Sequence, residues 1–183
     1  SDATTQITLR ASGGDGRIAL TGIDVTGNVG NLNLASADLS GQANFGGKLG
    51  SLILGDIANA QIDVAGGGDL TLQAGKITDS QLRAPLANLA LVAANWLSTS
   101  PGAGRIELAA LRSLTTTGDF SADLQVSGQG VTGYALGTVQ VGGAIADGVW
   151  SIHGRGSSLQ AGSTGSAWRA NFSNTLVQFA TRG

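Results

Sequence analysis

The chain has 183 residues, of which 42% are hydrophobic, 12% are charged and 30 are glycine, and its formal net charge is −2. With Lys48 and Lys76 as the two lysines, this charge excludes the basic face that a nucleic-acid-binding protein needs. The absence of cysteine excludes disulfides, thiolate catalysis and cysteine metal sites, and the regular Leu, Ile and Val exclude a disordered chain.

Short apolar triplets recur along the chain, and each consists of two aliphatic residues separated by one other residue. This alternation has the period of a β-strand with one buried face. In chain order the triplets are Ile18-x-Leu20, Leu32-x-Leu34, Leu52-x-Leu54, Leu70-x-Leu72, Leu89-x-Leu91, Ile106-x-Leu108, Leu124-x-Val126 and Val139-x-Val141. The segments between them are rich in Gly, Asn, Asp and Ser, which favour tight turns. The pattern predicts a series of short, regularly spaced strands.

Two stretches share one outline, SLILGDIANAQIDV at 51–64 and SLTTTGDFSADLQV at 113–126. Because this likeness extends to the turn residues, it favours stacked coils over hairpins. We therefore predict an all-β fold, a parallel β-helix (β-solenoid) of roughly eight short rungs of about 17–20 residues, forming a single domain over 1–183. An antiparallel sandwich or barrel is the alternative, although strong hairpin dipeptides occur only at Asp15-Gly16 and Asp147-Gly148.

The stretch APLANLALVAANWL at 84–97 is compatible with two structures. Pro85 would suit the first turn of a helix, in which Leu89 and Trp96 fall near helical spacing. The register of the neighbouring triplets favours another rung instead, with Leu89-x-Leu91 as its strand. We predict the rung.

The stretches SLTTTGDFSADLQVSG, LGTVQVGGAIADGVWSI and LVQFATRG resemble the β-strand-repeat regions of very large secreted or cell-surface bacterial proteins. Those of planctomycetes are the most similar, and adhesin and autotransporter passengers are similar more distantly. The resemblance implies a long extracellular coil that serves as a stalk, a coat or an adhesive surface. It brings no catalytic motif that could be carried over to residues of this chain.

The single histidine, His153, is the first candidate for catalysis, with Ser151, Asp147 and Arg155 nearby. A Ser-His-Asp arrangement requires these side chains at hydrogen-bonding distance. No nucleophile-elbow motif surrounds Ser151. We interpret His153 as a surface residue of a rung.

Aspartates beside glycine suggest turns, because the carboxylate can accept hydrogen bonds from nearby backbone N–H groups. A calcium-binding β-roll requires a repeated G-G-x-G-x-D nonapeptide, and the chain holds only fragments of it, GGDG at 13–16 and GGGDL at 66–70. Stacked turns near Asp56 would be the place for a calcium ion. We predict no metal site.

A polysaccharide-cleaving solenoid would need clustered acids and a basic residue on one face. Arg83, Arg105 and Arg112 form the nearest basic group, with Glu107 and Asp79 in the vicinity. Adjacent rungs lie about 4.8 Å apart, so Arg83 and Arg105 could approach each other. Solvated surface side chains are the simpler interpretation.

The tryptophans Trp96, Trp150 and Trp168 could stack on sugar rings or pack within the coil, and we favour packing. An ice-binding face would need rows of Thr-x-Thr, of which only Thr115-x-Thr117 is present. The acceptor motif NFS at 171–173 has little meaning in a bacterial chain.

These observations predict a non-enzymatic structural β-solenoid of a secreted or cell-surface bacterial protein, a stalk, coat or fibre element with a possible adhesive role. The alternative is a carbohydrate-binding or polysaccharide-cleaving β-helix protein. We expect no catalytic, cofactor-binding or metal-binding residues and no nucleic-acid partner. The longest apolar run has about 12 residues against the ~20 of a membrane-spanning helix, so no membrane insertion is expected. The expected partners are another copy stacked end to end or flanking repeats of a longer polypeptide, and glycans are possible ligands.

Overall fold

The structure is a computed structural model that describes residues 5–8, 16–129 and 133–182, with the backbone alone for 5–8. Every regular element among these residues is a strand. The strands are β1 (Thr5–Thr8), β2 (Ile18–Val25), β3 (Val29–Leu34), β4 (Ala37–Phe45), β5 (Leu49–Leu54), β6 (Ile57–Ala58), β7 (Gln61–Val64), β8 (Gly68–Gln73), β9 (Lys76–Thr78), β10 (Gln81–Ala93), β11 (Asn95–Leu97), β12 (Arg105–Thr116), β13 (Asp123–Val126), β14 (Tyr134–Ile145), β15 (Val149–Ile152), β16 (Arg155–Thr164), β17 (Arg169–Phe172) and β18 (Leu176–Thr181).

The strands form three faces, and the chain passes through the faces in the same order in each coil. Face 1 consists of β1, β3, β5, β8, β18, the second halves of β10 and β12, and the first parts of β14 and β16. Face 2 consists of β6, β9, β11, the starts of β2 and β4 and the ends of β14 and β16. Face 3 consists of β7, β13, β15, β17, the ends of β2 and β4 and the starts of β10 and β12.

Every pairing between the described strands is parallel. The register places like residues above one another: on face 1, Leu32 pairs with Leu52, which pairs with Leu72, and the file continues through Leu91 to Leu114. Each coil thus hydrogen-bonds to the coils before and after it. The predicted parallel β-solenoid of about eight coils is confirmed, and the antiparallel alternative does not fit the described strands.

The triplets do not all belong to one face. Leu32-x-Leu34 and Leu52-x-Leu54 pair residue for residue. The triplet Leu70-x-Leu72 is shifted by two residues relative to them, because Leu52 pairs with Leu72. Ile106-x-Leu108 and Leu124-x-Val126 pair with each other on face 3. The cause is that all three faces alternate buried and outward residues, so the apolar pattern alone cannot say which face a triplet occupies.

The two similar fourteen-residue stretches occupy equivalent positions in their coils. Ser51 and Ser113 lie in the same outward file of face 1, linked through the register of β8 and β10. At the corner that leads to face 2, Asp56 Oδ1 accepts a hydrogen bond from the backbone N–H of Lys76 at 2.8 Å. Asp119 Oδ1 accepts one from Ala144 at 2.7 Å. The repeated Gly-Asp therefore joins one coil to the next at a corner where the backbone would otherwise lack a partner.

The second corner, between faces 2 and 3, requires the left-handed backbone conformation. Asn59 and Asp79, which lie 20 residues apart, adopt φ values of +52° and +46° there. Gly41 has φ +114°, and a Cβ atom on it would overlap the carbonyl oxygen of Thr21. Gly, Asn and Asp occur at this corner because they adopt positive φ at least cost.

The interior is a continuous column of aliphatic side chains with aromatic side chains toward its C-terminal end. Leu89, Leu91 and Leu114 are fully buried within it. Burying one such side chain contributes about 1.5–3 kcal/mol, and the column repeats that contribution in each coil. Residues 84–97 form no helix, because β10 and β11 cover most of them and Leu89 pairs with Leu70. The predicted rung is confirmed.

Candidate functional site

The side chain of His153 is exposed at the corner that follows β15, in accord with its interpretation as a surface residue. Its backbone N–H donates to the carbonyl oxygen of Val126 at 2.8 Å. Asp147 Oδ1 accepts from the backbone of Gly148, and the Arg155 guanidinium lies 5.2 Å from the ring centroid of Tyr134. The side chains of Asp147 and Arg155 thus have local structural contacts, and the described residues contain no hydrogen-bonded Ser-His-Asp arrangement.

The aspartates of the first corner accept hydrogen bonds from the following coil. Asp38 Oδ1 accepts from the backbone N–H of Asp56 at 2.6 Å, and its Oδ2 accepts from Arg17 Nε at 2.6 Å. The hydrogen bond from Arg17 lowers the pKa of Asp38, with a smaller contribution from the Asp56 backbone. Arg17 Nη2 also lies 3.6 Å from Asp56 Oδ2. These carboxylates are thus occupied by hydrogen bonds and by a cation of the chain itself.

At the second corner Asp79 accepts two hydrogen bonds from Thr99, one coil further on. The backbone N–H and the hydroxyl of Thr99 each lie 2.7 Å from a carboxylate oxygen. These two hydrogen bonds, the backbone one first, lower the pKa of Asp79.

The described residues contain no group of three or more His, Asp or Glu side chains that could hold a metal ion. The second calcium-roll fragment, 66–70, forms the third corner and the start of β8. The first fragment, 13–16, and the Asp15-Gly16 dipeptide lie outside the described residues except for Gly16.

Of the three arginines predicted to lie on one side, Arg83 and Arg105 come together on face 3. Glu107 lies 2.7 Å from Arg105 and 3.3 Å from Arg83, measured between carboxylate oxygens and guanidinium nitrogens. Arg112 lies apart from them and pairs with Asp69 at 2.8 Å. These arginines and their acids neutralise one another at the surface, where such pairs stabilise a fold by about 0–1 kcal/mol each. Their arrangement therefore has an ordinary structural explanation.

The tryptophans pack within the coil, as favoured from the sequence. Trp96 is 1% exposed and Trp150 is fully buried, so neither ring can stack on a sugar at the surface. An aromatic row runs from Trp96 through Phe120 and Trp150 to Trp168, with successive ring centroids 6.3, 5.7 and 5.4 Å apart. Phe179 ends the row, 6.0 Å from Trp168.

The remaining motif residues belong to ordinary surface or corner structure. Thr115 points outward on face 1, and Thr117 donates to the carbonyl oxygen of Ala94 at 3.1 Å. Asn171 points outward on face 3, whereas Ser173 Oγ accepts from the backbone of Gly154 at 2.9 Å.

Two surfaces bear on function: the first was not found from the sequence, and the second was expected from it as an end that stacks. The first is the outward side of face 1, which we call the face-1 surface. It consists of two files of residues with regular spacing. One file is Asn31, Ser51, Thr71, Ala90, Ser113, Thr138, Ser158 and Gln178, and the other is Asn33, Ile53, Gln73, Val92, Thr115, Gln140, Gln160 and Ala180. The middle residues of several triplets belong to these files, but their alignment can be recognised only after each strand has been assigned to a face.

The second surface is the C-terminal end of the column. Strands β17 and β18 each pair with one described strand, β15 and β16 respectively, and their other edges face no described residue. Phe179 and Val177 are 50% and 58% exposed, and Trp168 and Phe172 are partly buried beneath them. An apolar interior and a free strand edge therefore coincide at this end.

Comparison of the chain with protein-family models, with curated proteins and with solved structures gave no match. Among the described residues there is no helix of sufficient length and hydrophobicity to cross a membrane.

Proposed function

We propose that the chain is a non-enzymatic structural element, a stiff segment of a coat, stalk or fibre of a secreted or cell-surface bacterial protein. On this proposal residues 1–183 belong to one solenoid domain whose coils continue, through further repeats of the same polypeptide or another copy, beyond the C-terminal end. The observation that carries the proposal is the uncovered apolar end at Phe179, where the aromatic row and the strand edges both stop without a partner among the described residues.

Stiffness follows from the construction of the column. Parallel strands pair the backbone of each coil with both neighbours, and the corner aspartates add hydrogen bonds between coils. Eight coils at a spacing of about 4.8 Å give a column on the order of 40 Å long. Stacking a further coil on the C-terminal end would bury Phe179 and Val177 and pair the free edges, so growth along the axis is favourable on both counts.

The test is assembly along the axis, measured by sedimentation velocity and small-angle X-ray scattering over a range of concentrations. We expect particles whose length grows in steps of about one column, on the order of 40 Å. Phe179→Lys places a charge in the interface and should reduce this growth. Asn171→Lys, on the outward side of the same terminal coil, is the matched control and should assemble as the unmodified chain does. Assembly that is indifferent to Phe179→Lys, or a strict monomer at all concentrations, contradicts end-to-end stacking.

A further inference from the structure

The face-1 surface differs from the other two faces in its charge. Its two files, followed from β3 to β18, hold Ser, Thr, Asn, Gln, Ala, Val and Ile and no charged residue. The outward files of face 3 hold acids and arginines, such as Asp63, Arg83 and Glu107. On face 2, Asp38 of β4 and Lys76 of β9 point outward. With 22 acidic and basic residues in the chain, two charge-free files over eight strands are a segregated feature, and the exposed ion pair of Asp69 and Arg112 lies beside them on β8 and β12.

Apart from Asn33, whose Oδ1 accepts from the backbone N–H of Ala35, the polar side chains of the face-1 surface have no hydrogen-bond partner among the described residues, unlike those of face 3. On face 3, Gln61 donates to Asp63 and Arg105 donates to Gln125, so side chains satisfy one another. On the face-1 surface, by contrast, the hydroxyls of Thr71 and Ser113 make no side-chain hydrogen bond to the described residues, and neither do the other Ser, Thr and Gln side chains of the two files. They can pair with a partner without breaking an internal hydrogen bond.

The face-1 surface shares with protein interfaces the depletion of charge at its centre. Its central strand, β10, contributes Ala90 and Val92, and Val92 is 45% exposed. Ser, Thr and Gln surround this apolar centre. A small apolar centre within a polar, uncharged surround is the arrangement found where two proteins meet.

The area is that of a standard interface. Eight strands at about 4.8 Å by six residues at about 3.3 Å give the whole of face 1 roughly 700–800 Å², of which the two uncharged files cover about two thirds. Stable protein complexes bury about 800 Å² on each partner. The exterior of a parallel sheet is regular along the column, so it can meet an identical face over its full length.

We propose that the face-1 surface binds the face-1 surface of a second copy of this chain, so that columns pair side by side. The same patch is then used by both copies, as a two-fold dimer requires. An uncharged face meets itself without the repulsion that identical charged faces would suffer. This inference deepens the proposed structural role and rests on it, since lateral pairing of columns gives a fibre or a layer.

The test uses two variants with opposite charges at the same positions. Thr71→Lys/Ser113→Lys and Thr71→Glu/Ser113→Glu place charges on either side of Ala90 in one file. In both two-fold arrangements, with columns parallel or antiparallel, the added charges of the two copies lie in the same interface and carry the same sign. Each variant alone should show a dimer dissociation constant raised by about 100-fold or more, and an equimolar mixture of the two should regain dimerisation. The readout is sedimentation velocity with light scattering, and circular dichroism verifies the fold.

Two controls separate this interface from stacking at the ends. Asn44→Lys/Ser151→Lys adds the same charge to face 3 and should leave lateral dimers unchanged. All measurements are repeated with Phe179→Lys, which blocks the end. Dimers that persist with Phe179→Lys and disappear with the face-1 lysines support lateral pairing, even if end-to-end growth is absent. Assembly that is lost with Phe179→Lys alone and ignores the face-1 charges overturns lateral pairing and leaves the structural role intact. A chain that is monomeric throughout overturns both.

Discussion

The coils before Trp96 and the coils from Trp96 onward share one hydrogen-bonding scheme but fill their interior differently. On face 2 the earlier coils bury Leu39, Ile57 and Ile77 in one file, and the same file then continues with Trp96 and Phe120. The spacing changes as well. Along face 1 the step from Leu72 to Leu91 is 19 residues, whereas the steps from Leu91 to Leu114 and on to Val139 are 23 and 25 residues.

The difference shows that the hydrogen bonds between coils can stay the same while the residues that fill the interior change. Asp56 in the earlier coils and Asp119 in the later coils accept the same hydrogen bond from the next coil, although 20 residues separate donor and acceptor in one case and 25 in the other. The extra residues are therefore accommodated between strands, such as the segment 98–104 between β11 and β12. The parallel register continues across them, and the aromatic row runs through the coils that contain them.

The largest effect is expected where the aromatic row is most buried. Trp150→Ala should lower the free energy of unfolding by about 3–5 kcal/mol, because it leaves a large cavity between Phe120 and Trp168. Urea denaturation followed by circular dichroism measures the loss. Trp168→Ala is the matched control, since its ring is only partly buried and a smaller loss should result. Equal losses of unfolding free energy for the two variants would show that the more deeply buried ring does not contribute more to the stability of the later coils.

A smaller effect distinguishes two tryptophans of the row by their indole N–H groups. Trp150 Nε1 donates to the carbonyl oxygen of Ala122 at 3.2 Å, whereas Trp96 Nε1 is buried with no hydrogen-bond partner among the described residues. Trp150→Phe leaves a buried carbonyl unpaired, while Trp96→Phe removes an unpaired donor. Trp150→Phe should therefore be more destabilising than Trp96→Phe by about 1 kcal/mol or more in the same urea experiment. The reverse order would mean that cavity size alone decides the cost.

The architecture could be predicted from the sequence because stacked coils have the same residue types at equivalent positions. Ser51 and Ser113, with Asp56 and Asp119, marked equivalent positions that the structure confirms. The face assignment of a triplet such as Ile106-x-Leu108 could not be predicted, since faces 1 and 3 present the same alternation of buried and outward residues.

The surfaces were harder to predict than the interior. The face-1 surface depends on outward residues such as Thr71 and Ser113, whose alignment requires the register between coils. The pairing of Arg83 and Arg105 with Glu107 required the same information. The partial exposure of Phe179 depends on what covers the end of the column, and the alternation of apolar and polar residues along a strand carries no information about that.

The joint between the two sets of coils should respond to acid. Asp79 belongs to the earlier coils and accepts two hydrogen bonds from Thr99, at the start of the first longer connection. These bonds lower the pKa of Asp79 below its ordinary value of 3.8. The unfolded chain therefore takes up the proton first as the pH falls, so the stability that this carboxylate provides is present above about pH 4 and is lost as the pH decreases through the folded-state pKa.

Asp79→Asn keeps an acceptor and a residue type that tolerates the φ of +46°, as Asn59 does one coil earlier. We expect the unmodified chain to be the more stable at pH 6 and the difference to shrink toward pH 2 in urea titrations. If the difference in the free energy of unfolding between the two chains stays constant across this pH range, the charge of Asp79 does not contribute to the contact with Thr99.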